Sequence, residues 1–239
     1  MTRILVINPV GTSRWDVSDY DYLQRYVRAS THVKVVSLPS GPPSLESLSS
    51  VAAAEPAILD TVRKYRGQCD AIVLNCFADP GMRAAREVSP VPVLGAAETS
   101  MTLACMLGER FSVICLSRQH SFKVRHQARV LGVSEKLASC RWVDLAPLEL
   151  DSDPERFHEI LFEQATACVE VDGAEVVVLG CTGMAYAAGR LADRVAFPVI
   201  DPMAATVKMA ELIAGLHLST SRKGLYSFNR LTGKEGACL

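Results

Sequence analysis

The chain has no Cys-x-x-Cys pair; the closest two of its eight cysteines are Cys69 and Cys76. The usual zinc-binding and redox spacings are therefore missing. It has no Gly-x-Gly-x-x-Gly and no glycine-rich loop ending in Gly-Lys-Ser/Thr, so neither standard phosphate cradle is present. The formal net charge is only −1 and no long basic run occurs. Nothing steers the chain toward nucleic acid or an anionic membrane. The first residues hold only four consecutive apolar positions, Ile4 to Ile7. That is too short for a signal-peptide core and far too short for a membrane span. The expectation is a soluble, cytoplasmic protein whose cysteines are reduced thiols.

What is present is a long apolar-rich chain. Its 239 residues are 49% hydrophobic, enough for one large α/β domain or two small ones. Strands are predicted over 3–7, 33–38, 70–76, 90–94, 111–116, 141–145, 174–181 and 197–200. Helices are predicted over 53–65, 82–88, 100–107, 121–131, 154–171, after Cys181, and over 203–216. Val10 to Tyr22 reads as polar and turn-rich, and Pro56 is expected only in the first turn of its helix. Strands alternating with helices imply parallel sheets.

Two apolar runs end in cysteine: Asp70-Ala-Ile-Val-Leu-Asn-Cys76 and Ala174-Glu-Val-Val-Val-Leu-Gly-Cys181. Each is followed by a turn, a helix and a strand of the form Val-Pro-Val-Leu or Phe-Pro-Val-Ile. Cys76 to Pro92 spans 16 residues and Cys181 to Pro198 spans 17. Such a repeat predicts two pseudo-symmetric Rossmann-like lobes, each a mostly parallel sheet flanked by helices. The expected division is 1–96 plus 206–239 for the lobe carrying Cys76, and 97–205 for the lobe carrying Cys181. A pseudo-twofold axis would bring the two strand ends face to face, with a cleft between them.

Two facing thiols suit proton transfer at carbon. One thiolate removes an acidic C–H proton next to a carbonyl, and the opposite thiol returns a proton to the other face. A thiol pKa of about 8.5 lies near working pH, and a helix N-terminus is expected to lower it further. Inversion has no net driving force, so no cofactor and no metal are expected. The partner is then a small-molecule substrate.

The residues around these cysteines resemble the aspartate/glutamate/hydantoin racemase superfamily, within it the hydantoin and allantoin racemase branch. The resemblance rests on Ile7-Asn8-Pro9, on Asn75-Cys76-Phe77-Ala78-Asp79-Pro80-Gly81, on Leu179-Gly180-Cys181-Thr182-Gly183-Met184, and on Pro198-Val199-Ile200-Asp201-Pro202. It implies cofactor-independent racemisation by Cys76 and Cys181, most directly of a 5-substituted hydantoin or allantoin-type ureide. It also implies that Asn8 and Thr182 help hold the substrate, with Phe77 and Gly183 beside the cysteines, and that the chain forms a homo-oligomer. Three loops depart from the usual pattern. Asn8-Pro9-Val10-Gly11-Thr12 stands where relatives carry Asn-Pro-Asn followed by Ser or Thr, leaving Thr12 or Ser13 as replacements. Ser117-Arg118-Gln119-His120 replaces a threonine-bearing loop, and Gly95-Ala96-Ala97-Glu98-Thr99 replaces Gly-Glu-Ala.

Structural readings compete at most of these positions. Cys105, Cys115, Cys140 and Cys168 read as buried small hydrophobes, Cys69 as a packing residue, and Cys238 as part of a frayed tail. His120 and Arg118 are candidate substrate ligands, with an exposed rim histidine and a solvated arginine as the plainer readings. Asp79 reads as the cap of its own Asp-Pro-Gly turn. Glu98 and Asp201 read as helix-start residues. Gly224-Leu-Tyr-Ser-Phe228 reads as a packed segment, with a nucleic-acid tail over 219–239 less well supported. Alternatives stay open for the activity as well: a maleate-type cis–trans isomerase, a decarboxylase, an amino-acid racemase, or a non-catalytic small-ligand binder.

Overall fold

A computed structural model describes residues 1–150 and 152–227 of the chain. The first sheet contains β1 (Thr2–Asn8), β2 (Thr31–Ser37), β3 (Ala71–Leu74) and β4 (Val93–Gly95). All its pairings are parallel, in the order β2-β1-β3-β4. The second contains β5 (Phe111–Cys115), β6 (Leu137–Trp142), β7 (Val176–Leu179) and β8 (Val199–Ile200). It is also all parallel, in the order β6-β5-β7-β8. The two sheets thus repeat one strand permutation, as the paired cysteine runs predict.

The central strands are apolar throughout because both faces are covered. On β1, Ile4 and Val6 face a core with Tyr22 and Leu23 of α1 (Asp16–Gln24) and Met203, Val207 and Ala210 of α8 (Pro202–Gly215). Leu5 and Ile7 face the opposite core, with Ala54, Ile58 and Val62 of α2 (Leu48–Lys64) and Ala85 of α3 (Met82–Val88). The second sheet packs one face on α6 (Pro154–Glu170) and α7 (Ala185–Ala192). Its other face packs on α4 (Ala96–Leu107) and α5 (Arg118–Leu131).

One feature of the packing ties the repeats together. Helix α4 leaves the first sheet at Gly95 yet lays Ala97, Met101 and Ala104 on the second. Helix α8 leaves the second sheet yet lays Met203 and Val207 on the first. The two exchanged helices also pack on each other. Each sheet is therefore covered by a helix that follows the other sheet in sequence.

Several boundaries differ from expectation; α4 begins at Ala96 and not at 100, and β4 covers Val93–Gly95 and not 90–94. Helix α1 occupies part of the stretch read as turns. Its sequence, Asp-Val-Ser-Asp-Tyr-Asp-Tyr-Leu-Gln, buries only Asp19, Tyr22 and Leu23, so no apolar period announces it. Helix α2 begins five residues earlier than predicted, capped by Ser47, whose side chain accepts from Ser50 N. Pro56 consequently lies mid-helix. It is exposed, so the carbonyl of Ala52, also exposed, meets solvent and not the core. Strand β6 lies four residues before the predicted strand at 141. It is a sheet edge and only Cys140 is buried along it, which leaves a weak alternation. Helix α5 begins at Arg118, so the segment read as the loop 117–120 is a helix start capped by Ser117. In the tail, Arg222 Nη1 donates to the carbonyls of Arg86 (3.0 Å) and Glu87 (2.9 Å). Phe228 and Cys238 lie outside the described residues.

Candidate active site

Cys76 and Cys181 occupy equivalent places at the carboxyl ends of β3 and β7. In each sheet that is the point where the strand order reverses, the crevice in which α/β proteins bind ligands. Asn75 N–H still donates to Ile7 O (2.9 Å), and Gly180 N–H to Ile114 O (2.8 Å). These bonds carry both strands one residue further before the chain turns. Gly180 is confined there: a Cβ would lie 2.7 Å from the carbonyl oxygen of Ile114. Both cysteines line a single cavity of about 520 Å³ between the two sheets' strand ends.

Burial governs the thiols. It pushes Cys76 up to about 12 and Cys181 up to about 11. The expected lowering by a helix N-terminus is not what the structure provides, since α3 begins only at Met82 and α7 only at Ala185; the lowering comes from backbone N–H groups of the turns after each cysteine, and it loses. Cys181 Sγ accepts the backbone N–H groups of Gly183 and Met184, and Cys76 Sγ accepts that of Ala78. Desolvation of a buried thiolate outweighs these hydrogen bonds. Cys76 stands higher partly because the Cys181 and Asp79 charges oppose its ionisation.

Asp79 does not cap its own turn. Its carboxyl accepts from Ala97 N (2.9 Å) and Glu98 N (2.8 Å), closing the N-terminus of α4 from the Cys76 loop. Its backbone is left-handed, with φ of 47°. Gly95 makes room for it, since a Cβ there would lie 2.3 Å from Asp79 Cγ. Burial raises the Asp79 carboxyl to about 7. Asp201, by contrast, starts α8 as expected, accepting from Met203 N at 2.8 Å, and also accepts from Tyr22 Oη at 2.7 Å. Glu98 lies in the first turn of α4 and pairs with Arg86 at 2.8 Å.

The sequence-selected ligands separate into two groups. Asn8, Phe77, His120, Thr182 and Gly183 line the cavity. Thr12 and Arg118 do not: Thr12 Oγ1 accepts from Arg14 N at 3.3 Å, and Arg118 is exposed. Asn8 is held by a buried polar network. Its Nδ2 donates to Asp16 Oδ1 (3.0 Å) and Asp19 Oδ2 (2.9 Å), while its Oδ1 accepts from Asn75 Nδ2 (2.8 Å). Thr182 Oγ1 donates to the Asn75 carbonyl at 3.2 Å and so joins the two cysteine loops. His120 is half-buried, not an exposed rim residue, because α5 begins before it. Its ring stands edge-on to Phe77 with centroids 6.4 Å apart. Burial, aided by the Lys123 charge, lowers it to about 4, so the imidazole is neutral near pH 7.

Several lining residues escape sequence reasoning. Asp19 is almost fully buried and accepts from Asn8, Asn75 (3.2 Å) and Tyr186 Oη (2.7 Å). Burial raises its carboxyl above the usual range. Lys123 of α5 and Glu46 of the loop before α2 meet across the cavity, Nζ donating to the Glu46 carbonyl at 2.5 Å. Leu116, Leu145, Pro147 and Leu150 form an apolar wall. A Cβ on Gly183 would lie 3.0 Å from Leu150 Cδ1 and 3.6 Å from Cys181 Sγ, which places that wall beside the second thiol. The seven described cysteines are all free thiols; Cys69, Cys115, Cys140 and Cys168 are buried and Cys105 half-buried. Among the described residues no group of three His, Cys, Asp or Glu side chains is placed to hold a metal ion. No described helix is long and apolar enough to cross a membrane.

Comparison with known proteins agrees with this geometry. Residues 4–210 match the family described as Asp/Glu/Hydantoin racemase. A hydantoin racemase of Pseudomonas sp. (strain NS671) is 34% identical, with 95% of this chain and 91% of the relative aligned. One of Rhizobium meliloti is 33% identical over 98% of both chains. The structure of an allantoin racemase from Klebsiella pneumoniae superposes with a TM-score of 0.91 at 33% identity, covering 96% of this chain and 94% of that one. An arylmalonate decarboxylase variant, at 14% identity and a TM-score of 0.68, shares the fold. With two parallel four-stranded sheets repeating one topology and a paired cysteine motif at their strand ends, the chain belongs to the Asp/Glu/hydantoin racemase family and is an isomerase of the racemase class.

Proposed function

We propose that the protein racemises a 5-substituted hydantoin or an allantoin-type ureide by two-thiol proton transfer. The observation that carries this reading is the placement of Cys76 and Cys181 at equivalent strand ends on one cavity. The substrate ring lies between the two sulfurs. One Sγ, as thiolate, takes the ring C–H proton, and the C–H electron pair moves onto the adjacent carbonyl as an enolate. The opposite S–H then protonates the other face of the carbon. The first cysteine ends as a thiol and the second as a thiolate, so charge and protons balance. The reverse reaction exchanges their roles.

The same cavity suggests where the ring substituent sits. Leu116, Leu145, Pro147 and Leu150 offer it apolar surface. The network of Asn8, Asp19 and Asn75 holds a polar part of the lining in place. A rigid polar floor favours a single ring orientation at the moment of proton transfer.

The test uses one pure enantiomer in deuterated water, followed by optical rotation and by isotope uptake at the stereocentre. Wild type should lose rotation and incorporate deuterium. Cys76→Ser and Cys181→Ser should each lose racemisation by at least about a thousandfold, the scale expected when a catalytic acid or base is removed. Wild-type rates retained in either variant would exclude the two-thiol mechanism.

A further inference from the structure

Helix α5 presents three side chains to the Cys76 loop. His120 stands edge-on to Phe77. Gln127 Nε2 donates to the Phe77 carbonyl at 3.0 Å. Between them lies Lys123, half-buried and lining the cavity with Cys76. The spacing 120, 123, 127 puts all three on one helix face. This helix packs on the second sheet, whereas Cys76 ends a strand of the first. The lysine therefore faces the cavity of Cys76 from the other side of the cleft. Its Nζ is fixed by the Glu46 carbonyl, which also belongs to the first sheet's side.

The two cysteines are not equally provided for. Cys181 has two backbone donors from its own loop, Gly183 and Met184. Cys76 has one, Ala78, and it faces the Asp79 carboxyl and the second thiol. Lys123 is a cation whose charge favours the Cys76 thiolate against them, though by less than either opposes it.

We propose that Lys123 is the charge partner of Cys76, supplying from the opposite side of the cleft the stabilisation that Cys181 takes from its own loop. Cys76 is then activated only while the cleft is assembled around it. Lys123 acts through Cys76, so it is a positioning residue for the proton-transfer step, and its part in turnover rests on the two-thiol reading above. The electrostatics agree in direction. The Lys123 charge favours the Cys76 thiolate, and Cys76 and Glu46 in turn favour the charged lysine against the burial that opposes it. The groups facing this pair are Cys181 from the end of β7, Asp79 from the Cys76 loop, Glu46 from the loop before α2, and neutral His120 one turn away on α5.

The experiment compares iodoacetamide labelling of Cys76 and Cys181, resolved by peptide mass spectrometry, in the folded full chain at several pH values. In Lys123→Met, Cys76 labelling below its midpoint should slow about tenfold, the effect of a one-unit rise in thiol pKa. Cys181 labelling should stay within about twofold. Lys123→Arg, which keeps the charge, should restore Cys76 labelling. The kcat/KM for racemisation should fall with Cys76 labelling, equally from either enantiomer. Unchanged Cys76 labelling in Lys123→Met would overturn the proposal, and a lowered melting temperature alone would then mark Lys123 as a structural tie to Glu46. Equal loss in Lys123→Met and Lys123→Arg would also overturn it, because charge would not be the cause. A selective labelling shift in a protein inert toward every ureide would uphold the charge pair and reject the racemase reading instead.

Discussion

The pH dependence of racemisation tests whether burial controls these thiols. The perturbation is pH itself. In the two-thiol mechanism proposed above, the competent enzyme needs one thiolate opposite one thiol. With Cys181 at about 11 and Cys76 at about 12, the first proton leaves Cys181. At about pH 8 a thiol with pKa about 11 is ionised in roughly one molecule in a thousand, a cost of about 4 kcal/mol. The sign is fixed: burial disfavours the thiolate, so raising pH increases the competent fraction. The value of kcat/KM should therefore rise about tenfold per unit from roughly pH 6 to pH 10, with no plateau near pH 8. The assay is the initial rate of loss of optical rotation from a single enantiomer below KM. The ionisation of the substrate's ring imide is measured separately and divided out, and a Cys76→Ser/Cys181→Ser double variant supplies the base-catalysed background. Enantiomers are equally stable in achiral water, so both directions must give the same profile. A bell centred near neutrality, or a plateau beginning near pH 8, would refute the claim that desolvation outweighs the hydrogen bonds to each sulfur.

Two further outcomes follow from the packing. A 5-benzylhydantoin should be turned over with kcat/KM about ten- to a hundredfold above allantoin. In the placement proposed above, the wall that meets the substituent carries apolar side chains. The N–H groups of Leu145 and Ala146 are engaged by Leu116 O and Glu149 Oε2, and Pro147 has none; an unpaired polar arm there costs about 1–3 kcal/mol. A preference for allantoin, measured as the ratio of initial rates, would count against that placement. Gly95→Ala should push Asp79 off the start of α4 and lower the unfolding free energy by about 1–2 kcal/mol, the worth of a helix cap. Gly189→Ala, mid-helix in α7 with no atom within 4 Å of a new Cβ, should instead stabilise by about 0.5–1 kcal/mol. Denaturant titration of both variants checks the contrast, and equal effects would contradict it.

Much of the fold was legible because its central strands are short, continuous and apolar, and because the same order of elements occurs twice. Val73 and Val178 advertise buried parallel strands without any tertiary information. The paired motifs around Cys76 and Cys181 also located the cavity. The misses have specific causes. Helix α1 buries an aspartate and a tyrosine in a polar network, so its sequence looks like a turn. Strand β6 lies at an edge and shows little alternation. Asp79 looked local because its partners, Ala97 and Glu98, are distant in sequence and adjacent only once β4 has paired.

By itself the sequence determined the two parallel sheets, their repetition and the two cysteines that follow equivalent strands, since these depend on local apolar pattern and on covalent order. Only the tertiary structure decided how those thiols behave. The balance between desolvation and hydrogen bonding at Cys76 and Cys181 depends on what the fold packs around each sulfur. So does the reach of Lys123 across the cleft, and so does the engagement of Asn8 by Asp16, Asp19 and Asn75. A one-dimensional pattern carries no information about which distant groups share a low-dielectric space, and that sharing sets the chemistry of this site.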